Sequence, residues 1–556
     1  MQDGTRLLVV GGVAAGATAA TRARRISEGA EITLLERGPH VSYANCGLPY
    51  FIAGDIANRA SLLLQTPEWF ESRYRVKVLL GTEAFAIDRG AKRVRVRGPE
   101  GERDLPYDKL ILAQGASPVP PGLPGADAPQ VFRLWTVSDM DRLALHLDRE
   151  RPRSAVVVGG GFVGLEMAEA FARRGLATTV VELLPTVMGT MDPEFGRCIA
   201  RELAASGVPV LTGVGVRAVH PAERAVELSD GRRLPADLVL FSVGVRPELE
   251  LARKAGLAIG PTGGLLVDDR LRTSDPDIYA AGDMVEVVHR VSGRKVRVPL
   301  AGPANRQGRI AASNALGLDL RYRGALGTMV VKVFGATAAM TGLSEKAAGE
   351  AGLEFGAVVV HRDDHASYFP GAQELSLKLV YRRPDGKLLG AQAFGRAGVE
   401  KRIDVLATAL QAGLSLEDLA ELDLAYAPPY SSANDPINLA AFAGLNDLSG
   451  FSPLVTASAL KRELAGADRP IILDVRLPAV FEQSHLRGAL NIPVDALRQR
   501  YGELPRDRRI VVHCRVGWNA HIASRMLQGL GFSRVAYLTG GFLSLLAEGG
   551  FDLASS

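Results

Sequence analysis

The chain has 556 residues, 47% hydrophobic and 23% charged, with 61 glycines and 31 prolines; these values fit an α/β protein of roughly three or four domains and exclude disordered and fibrous classes. A formal charge of +4, with arginines scattered rather than gathered, gives no nucleic-acid footprint. Three cysteines make neither a disulfide framework nor a zinc spacing, so no metal site is expected; with no signal-peptide pattern at Met1–Arg6 and no apolar run of about 18 residues, the expectation is a cytoplasmic protein without a membrane span.

The strand Leu7–Val10 leads into Gly11-Gly12-Val13-Ala14-Ala15-Gly16 and a helix through Ile26, and the strand Ile32–Leu35 ends at Glu36. The same order returns later. Ala155–Val158 leads into Gly159-Gly160-Gly161-Phe162-Val163-Gly164 and a helix through Arg174, and Thr179–Val181 ends at Glu182. Each acid follows its glycines at close to the interval of about 20 residues that a dinucleotide fold uses. The glycines let backbone approach a pyrophosphate, the helix N-terminus supplies amide donors, and the acid accepts from ribose hydroxyls. Two such units imply two dinucleotides. Val13 stands at the middle glycine position of the first.

Between and beyond them, Lys92–Arg97 alternates basic and apolar residues and reads as a solvated strand face. Leu238–Val243 reads as a buried strand, and Val296–Asn314 as a segment preceding a helical run. From about Tyr322 to Ala441 the pattern is β-rich, at Val330–Val333 and Leu375–Tyr381, with a helix around Val399–Ala412. Gly444–Pro453, rich in Gly, Ser, Asn and Pro, reads as a linker. A separate βαβ pattern follows at Ile471–Val475, Ile510–His513 and Val535–Leu538, long enough for a small domain of its own.

Across about residues 6–445 the chain resembles the flavin-dependent pyridine nucleotide–disulfide oxidoreductases, through the two glycine units, Ile278-Tyr279-Ala280-Ala281-Gly282-Asp283, and the crossings Ala113-Gln114-Gly115-Ala116 and Val243-Gly244-Val245-Arg246-Pro247. The resemblance implies FAD on Gly11, Gly12, Ala14, Gly16, Glu36, Ala113 and Asp283, with Asp283 on the ribityl chain. It implies a nicotinamide nucleotide on Gly159, Gly161, Gly164 and Glu182. An acid at 182 repels a 2′-phosphate, so NADH is the expected donor.

In Ser42-Tyr43-Ala44-Asn45-Cys46-Gly47-Leu48-Pro49-Tyr50 there is one cysteine where disulfide-forming members have two, so the oxidised form of Cys46 is a sulfenic acid, a persulfide or a mixed disulfide. Gly47–Ile52 reads as a helix start, which would depress the thiol pKa. Among single-cysteine members the segment is similar to the coenzyme A-disulfide reductases and their NADH-dependent persulfide-reductase relatives. His365–Gly371, with Tyr368, and Tyr426–Ser432 resemble that family's two tyrosine motifs. By that match Tyr368 and Tyr426 reach a partner subunit's cysteine in a homodimer and hydrogen-bond or protonate a leaving thiolate. Thr18, Arg22 and Arg25 share one helix face. The family places coenzyme A contacts there and at the positions of Ser42, Asn45 and Asn305; Asn434 stands where relatives often carry a lysine.

Over about residues 453–556 the chain resembles rhodanese domains, through Asp474-Val475-Arg476, His485–Ala489, Asn491-Ile492-Pro493 and the loop Cys514-Arg515-Val516-Gly517-Trp518-Asn519. Cys514 would carry sulfane sulfur on its loop's backbone amides; Asn519 replaces the usual closing arginine. Cys198 is given no role. The expected organisation is an α/β fold of two Rossmann-like domains, an α+β dimerisation domain and an α/β rhodanese domain. FAD binding falls at 1–150 and 251–325, NADH binding at 151–250, dimerisation at 326–445, a linker at 446–452 and rhodanese at 453–556. The reading is an FAD- and NADH-dependent reductase of coenzyme A-linked persulfide, polysulfide or disulfide. Two others stay open: an NADH oxidase or peroxidase working through a Cys46 sulfenic acid, and a non-enzymatic sulfur or redox sensor.

Overall fold

The computed structural model describes residues 4–555. The chain forms two compact units, one of residues 1–184 and 207–327, the other of residues 185–206 and 328–556.

The first unit holds two five-stranded parallel sheets. One runs Ile278–Ala280, Lys109–Leu112, Arg6–Val10, Glu31–Leu35, Val76–Leu79; the other runs Val210–Thr212, Ala177–Glu182, Ser154–Val158, Leu238–Phe241, Val131–Phe132. Their strands are continuous apolar runs because both faces are covered. Leu7, Leu8, Val9, Leu110, Ile111 and Leu112 are all buried, each contributing about 1.5–3 kcal/mol. In each sheet the first strand pairs with two neighbours, Val10 opposite Leu35 and Leu112, Val158 opposite Val181 and Phe241. Both glycine turns therefore emerge beside a strand crossing. The expected solvated strand is Arg93–Gly98, with Val94 and Val96 buried and its arginines outward.

The helix Ala14–Ile26 lies on the helix Ala301–Ala315 through small residues; a Cβ on Gly308 would stand 2.2 Å from the Ala15 carbonyl oxygen. This second helix occupies most of Val296–Asn314 rather than following it. An alanine- and glycine-rich face carries little apolar contrast, and the segment is helical because it fits closely against its neighbour.

The second unit joins a five-stranded antiparallel sheet (Met329–Val333, Ala336–Gly342, Leu388–Gly395, Glu374–Arg382, Phe355–Asp363) to a parallel one (Leu454–Val455, Val535–Leu538, Ile510–His513, Ile471–Asp474, Leu490–Asn491). The helix Pro436–Leu448 runs through the first half of the expected linker, so 446–448 are helical and the connection is shorter. Its polar composition misleads. Asp447 is buried and accepts from the Tyr381 hydroxyl at 2.6 Å and the Leu454 amide at 3.1 Å, and it pairs with Arg383. The segment 185–206, expected within the nicotinamide domain, groups with this unit. The ammonium of Lys378, buried in the strand Glu374–Arg382, meets Asp192 at 2.8 Å and Glu194 and Glu345 at 2.5 Å.

Candidate active site

The first glycine turn is dictated by close approach. Gly11 sits at φ +103°, where a Cβ would lie 2.2 Å from the Ala113 carbonyl oxygen, and one on Gly16 would lie 1.7 Å from that of Gly11. The second turn repeats this, with Gly159 against Ser242 and Gly164 against Gly159, while Gly161 faces open space. The two acids act alike. Glu36 accepts from the Gly12 and Gly38 amides at 2.9 and 2.7 Å, and Glu182 from the Gly160 and Leu184 amides at 2.6 and 2.8 Å. Each braces its turn with a carboxylate, at the position where the sequence leads one to expect a ribose contact. Ala14 opens the helix, and Val13 is its N-cap, contributing no side-chain bond.

A cleft beside the first turn is lined by Gly11, Glu36, Arg37, Gln114 and Glu248, and the Gln114 side-chain oxygen is buried with no hydrogen-bond partner among the described residues. Burial pushes the Asp283 carboxyl up to about 6. Glycine backbones clear of side chains and an unsatisfied buried acceptor at the cleft fit a dinucleotide.

Ser42 lies at the far end of that turn, in the left-handed region at φ 48°, its amide donating to the Gly12 carbonyl at 2.8 Å. This ties the cysteine segment to the glycine turn. Cys46 follows in the short turn Asn45–Gly47 and reaches the surface; its amide donates to the Asn45 side-chain oxygen at 3.1 Å. The expected depression of its thiol is not found. Desolvation first, then the carboxylates of Glu166 and Asp283, push the Cys46 thiol up, against a weaker backbone hydrogen bond. The helix Leu48–Ala53 has only six residues. Its dipole is small beside two nearby negative groups.

Glu166 was not legible as a site residue. It stands on the second glycine turn's helix, Phe162–Arg173, and accepts from the Tyr50 hydroxyl at 3.0 Å. Burial pushes its carboxyl up to about 7, although the Tyr50 bond favours its ionised form. An acid inside the apolar run Phe162–Met167 was the available signal.

The paired helices also gather the expected coenzyme A residues. The Thr18 hydroxyl donates to the Asn305 side-chain oxygen at 2.9 Å, and Arg22 donates to the Ser313 hydroxyl at 3.1 Å. Desolvation, Arg309 and Arg25 all bear down on the Arg22 guanidinium, so three cations crowd one face; Arg309 is the member the sequence did not single out. Ser42 and Asn45 belong to the other end, the helix advancing roughly 16 Å from Ala14 to Arg25.

In the second unit the hydroxyls of Tyr368 and Tyr426 meet at 3.1 Å. Buried Arg402 holds both loops, donating to the Asp364 carbonyl at 2.6 Å and to Asp435 at 2.9 Å; Asp435 in turn accepts from the Ser431 hydroxyl at 2.8 Å. The Tyr426 bond pushes the Tyr368 phenol up.

Cys514 follows the strand Ile510–His513 and is buried, its sulfur accepting from the Gly517 amide at 3.2 Å. The Phe542 amide donates to its carbonyl at 2.8 Å, and Arg515 reaches Glu374 at 2.8 Å. Asn519 is exposed. Cys198 is half-buried in the helix Pro193–Ala205, 3.2 Å from an Arg201 nitrogen.

No helix among the described residues is long and apolar enough to cross a membrane. Residues 5–308 match the pyridine nucleotide-disulphide oxidoreductase family, 328–435 its dimerisation domain and 456–548 the rhodanese-like domain. An NAD(P)H sulfur oxidoreductase (CoA-dependent) of Pyrococcus abyssi is 34% identical over 78% of this chain and 96% of its own. The crystal structure of reduced Bacillus anthracis CoADR-RHD superposes with a TM-score of 0.95 at 40% identity, covering 98% of each chain. A NAD-dependent persulfide reductase from A. fulgidus superposes at 0.90 with 37% identity, covering 97% of this chain and all of that one. The chain belongs to the pyridine nucleotide–disulphide oxidoreductases, enzymes that work with FAD and a nicotinamide nucleotide, and it carries a rhodanese-like domain at its C-terminal end.

Proposed function

We propose that this enzyme reduces sulfur–sulfur bonds of coenzyme A-linked persulfide, polysulfide or disulfide at Cys46, using NADH, with Cys514 carrying sulfane sulfur. The observation that carries the reading is the solitary Cys46, tied through Ser42 to the first glycine turn, in a chain whose full length, rhodanese-like domain included, is similar to a persulfide reductase.

The first glycine turn, Ala113 and Asp283 would hold FAD, and Gly159, Gly161, Gly164 and Glu182 would hold NADH. Bound FAD supplies two-electron transfer between nicotinamide and sulfur. Cys46 attacks the outer sulfur as a thiolate and is left in a mixed disulfide or persulfide, since no second cysteine is near in sequence to resolve it. Arg22 and Arg25 clamp the phosphates of coenzyme A at one end of the helix while Ser42 and Asn45 receive the thiol end. Tyr368 and Tyr426, contributed by the partner subunit of a homodimer, donate to the departing thiolate. A protein that acts on small intracellular thiols with free cysteines of its own fits the cytoplasm.

The test is a turnover panel with NADH and NADPH against coenzyme A persulfide, coenzyme A disulfide, polysulfide and peroxide. Faster turnover with NADH and on the sulfur acceptors is expected. Peroxide as the preferred acceptor would instead support a sulfenic-acid oxidase.

A further inference from the structure

Tyr368 is 74% exposed, and the bond to Tyr426 is the one hydrogen bond its hydroxyl makes among the described residues. Its place is therefore set by the loop that carries it. That loop, 364–373, joins the strands Phe355–Asp363 and Glu374–Arg382 and is closed at its base by Asp364. The Asp364 amide donates to the Gln373 carbonyl at 2.9 Å, and Asp364 Oδ1 accepts from the Gln373 amide at 2.7 Å. At the tip the Phe369 amide donates to the Ala366 carbonyl at 2.8 Å, which makes a turn with Tyr368 inside it.

His365 spans base and tip. It is 8% exposed; its Nδ1 lies 2.9 Å from Asp364 Oδ2, and its ring meets that of Phe369 edge-on, with centroids 5.8 Å apart at 72°. Against desolvation, the Gln373 amide and His365 hold the Asp364 carboxyl below its usual range, so the carboxylate accepts and Nδ1 carries a proton. The other ring nitrogen, Nε2, is buried with no hydrogen-bond partner among the described residues. A buried bare lone pair is costly there, and a proton on Nε2 turns it into a donor toward the turn. The Asp364 bond, against desolvation, pushes the imidazole up, and the backbone carbonyls of Pro370 and Phe369 act in the same direction.

We propose that His365 is the positioning residue for Tyr368: tied to Asp364 on one side and to the turn on the other, it sets where the Tyr368 hydroxyl stands against that of Tyr426. The proposal rests on the reading of the tyrosine pair as donors to the departing thiolate, and it leaves that role with them. The other charges on this side are Arg402, on the helix Val399–Ala412, and Asp435, at the head of the helix Pro436–Leu448. They pair at 2.9 Å and offset each other, which leaves Asp364 as the charge partner of the imidazole.

The experiment measures steady-state turnover of the full-length, FAD-loaded protein with NADH and coenzyme A disulfide between about pH 6 and 10. His365→Asn keeps a nitrogen for Asp364 and has none at the ε position; His365→Gln offers a donor at the ε position that does not titrate. His365→Asn should lower kcat about tenfold or more with KM held, and should cost nothing further in Tyr368→Phe. Nε2 holds its proton below the raised pKa of His365 and loses it above, so kcat should fall on the alkaline side. His365→Gln should keep most of kcat and lose that fall. An unchanged kcat in His365→Asn, or losses that add in the double variant, overturns the proposal. A crystal structure of His365→Asn separates it from the reading beneath it. If Tyr368→Phe leaves turnover unchanged, the role of the tyrosines falls, while a Tyr368 hydroxyl displaced from Tyr426 in that structure still supports the positioning. An undisplaced Tyr368 overturns it.

Discussion

Tyr368 and Tyr426 bring their hydroxyl oxygens within 3.1 Å of each other across 58 positions of sequence, and a single buried guanidinium, Arg402, ties down both of the loops that carry them. Two phenols in contact act as one donor unit, since one hydroxyl can donate outward while accepting from the other. Tyr368→Phe and Tyr426→Phe should each lower turnover on disulfide by about 10²-fold or more, and the double variant should lose little beyond the worse single one. Additive losses in steady-state rates would show two independent groups.

Arg402 and Asp435 are both fully buried. Arg402→Met leaves the Asp435 charge uncompensated and should cost about 3–5 kcal/mol, read as a large fall in the melting temperature of the second unit. Flavin absorbance, which reports on the first unit, should be retained at room temperature.

Cys46→Ser should abolish NADH-dependent reduction of every sulfur acceptor while the protein stays yellow and is still bleached by NADH. Flavin spectra before and after NADH addition, beside an acceptor assay, separate the two. Turnover that survives would move the sulfur chemistry to another residue.

Three cations, Arg22 and Arg25 on one helix and Arg309 on the helix packed against it, point to phosphates. Arg22→Ala should raise KM for coenzyme A-linked substrates about tenfold at moderate salt, with kcat held, because it removes a charge-assisted contact remote from the reacting sulfur. Inorganic polysulfide, which has no phosphates, should show no change in the same assay.

Cys514→Ala should leave coenzyme A disulfide reduction near its original rate and lower turnover on sulfane-sulfur donors. Tethering a second sulfur site commonly gives an effective concentration in the millimolar range. Comparing both substrates in this variant and in a chain ending at Gly450 checks it: equal losses on both would make the domain structural.

His361 bridges the Ser376 and Ser544 hydroxyls at 2.8 and 3.0 Å, and burial pushes it down to about 4; burial pushes His513 down to about 4 as well. Both folded values lie below the unfolded value near 6.5, so the neutral form is the one that folding favours. Their contribution is fully present above about pH 6.5 and is lost as pH falls toward 4. The melting temperature of the second unit should drop over that window, and His361→Gln, which keeps hydrogen bonds without titrating, should soften the fall.

What could be read in the chain alone was what neighbours in sequence decide. The glycines at 11, 16, 159 and 164 signal turns wherever they stand, because no side chain tolerates those backbone approaches. The apolar strands Leu7–Val10 and Ala155–Val158, the acids Glu36 and Glu182 at dinucleotide spacing, the solitary Cys46 and the loop Cys514–Asn519 are all patterns within a few dozen residues. What the tertiary structure decided concerns groups that are distant in sequence and become close only when folded. Lys378, one cation in an apolar strand, finds three carboxylates, two of them nearly two hundred positions away. Arg402 becomes the anchor of both tyrosine loops, and Asp447 turns an apparent linker into a buried joint. The sign of the Cys46 shift belongs to this second class. A helix start beside the cysteine argues for a depressed thiol, but folding desolvates the sulfur and sets the charges of Glu166, 120 residues on, and of Asp283 to act on it, and together these outweigh the dipole of a six-residue helix.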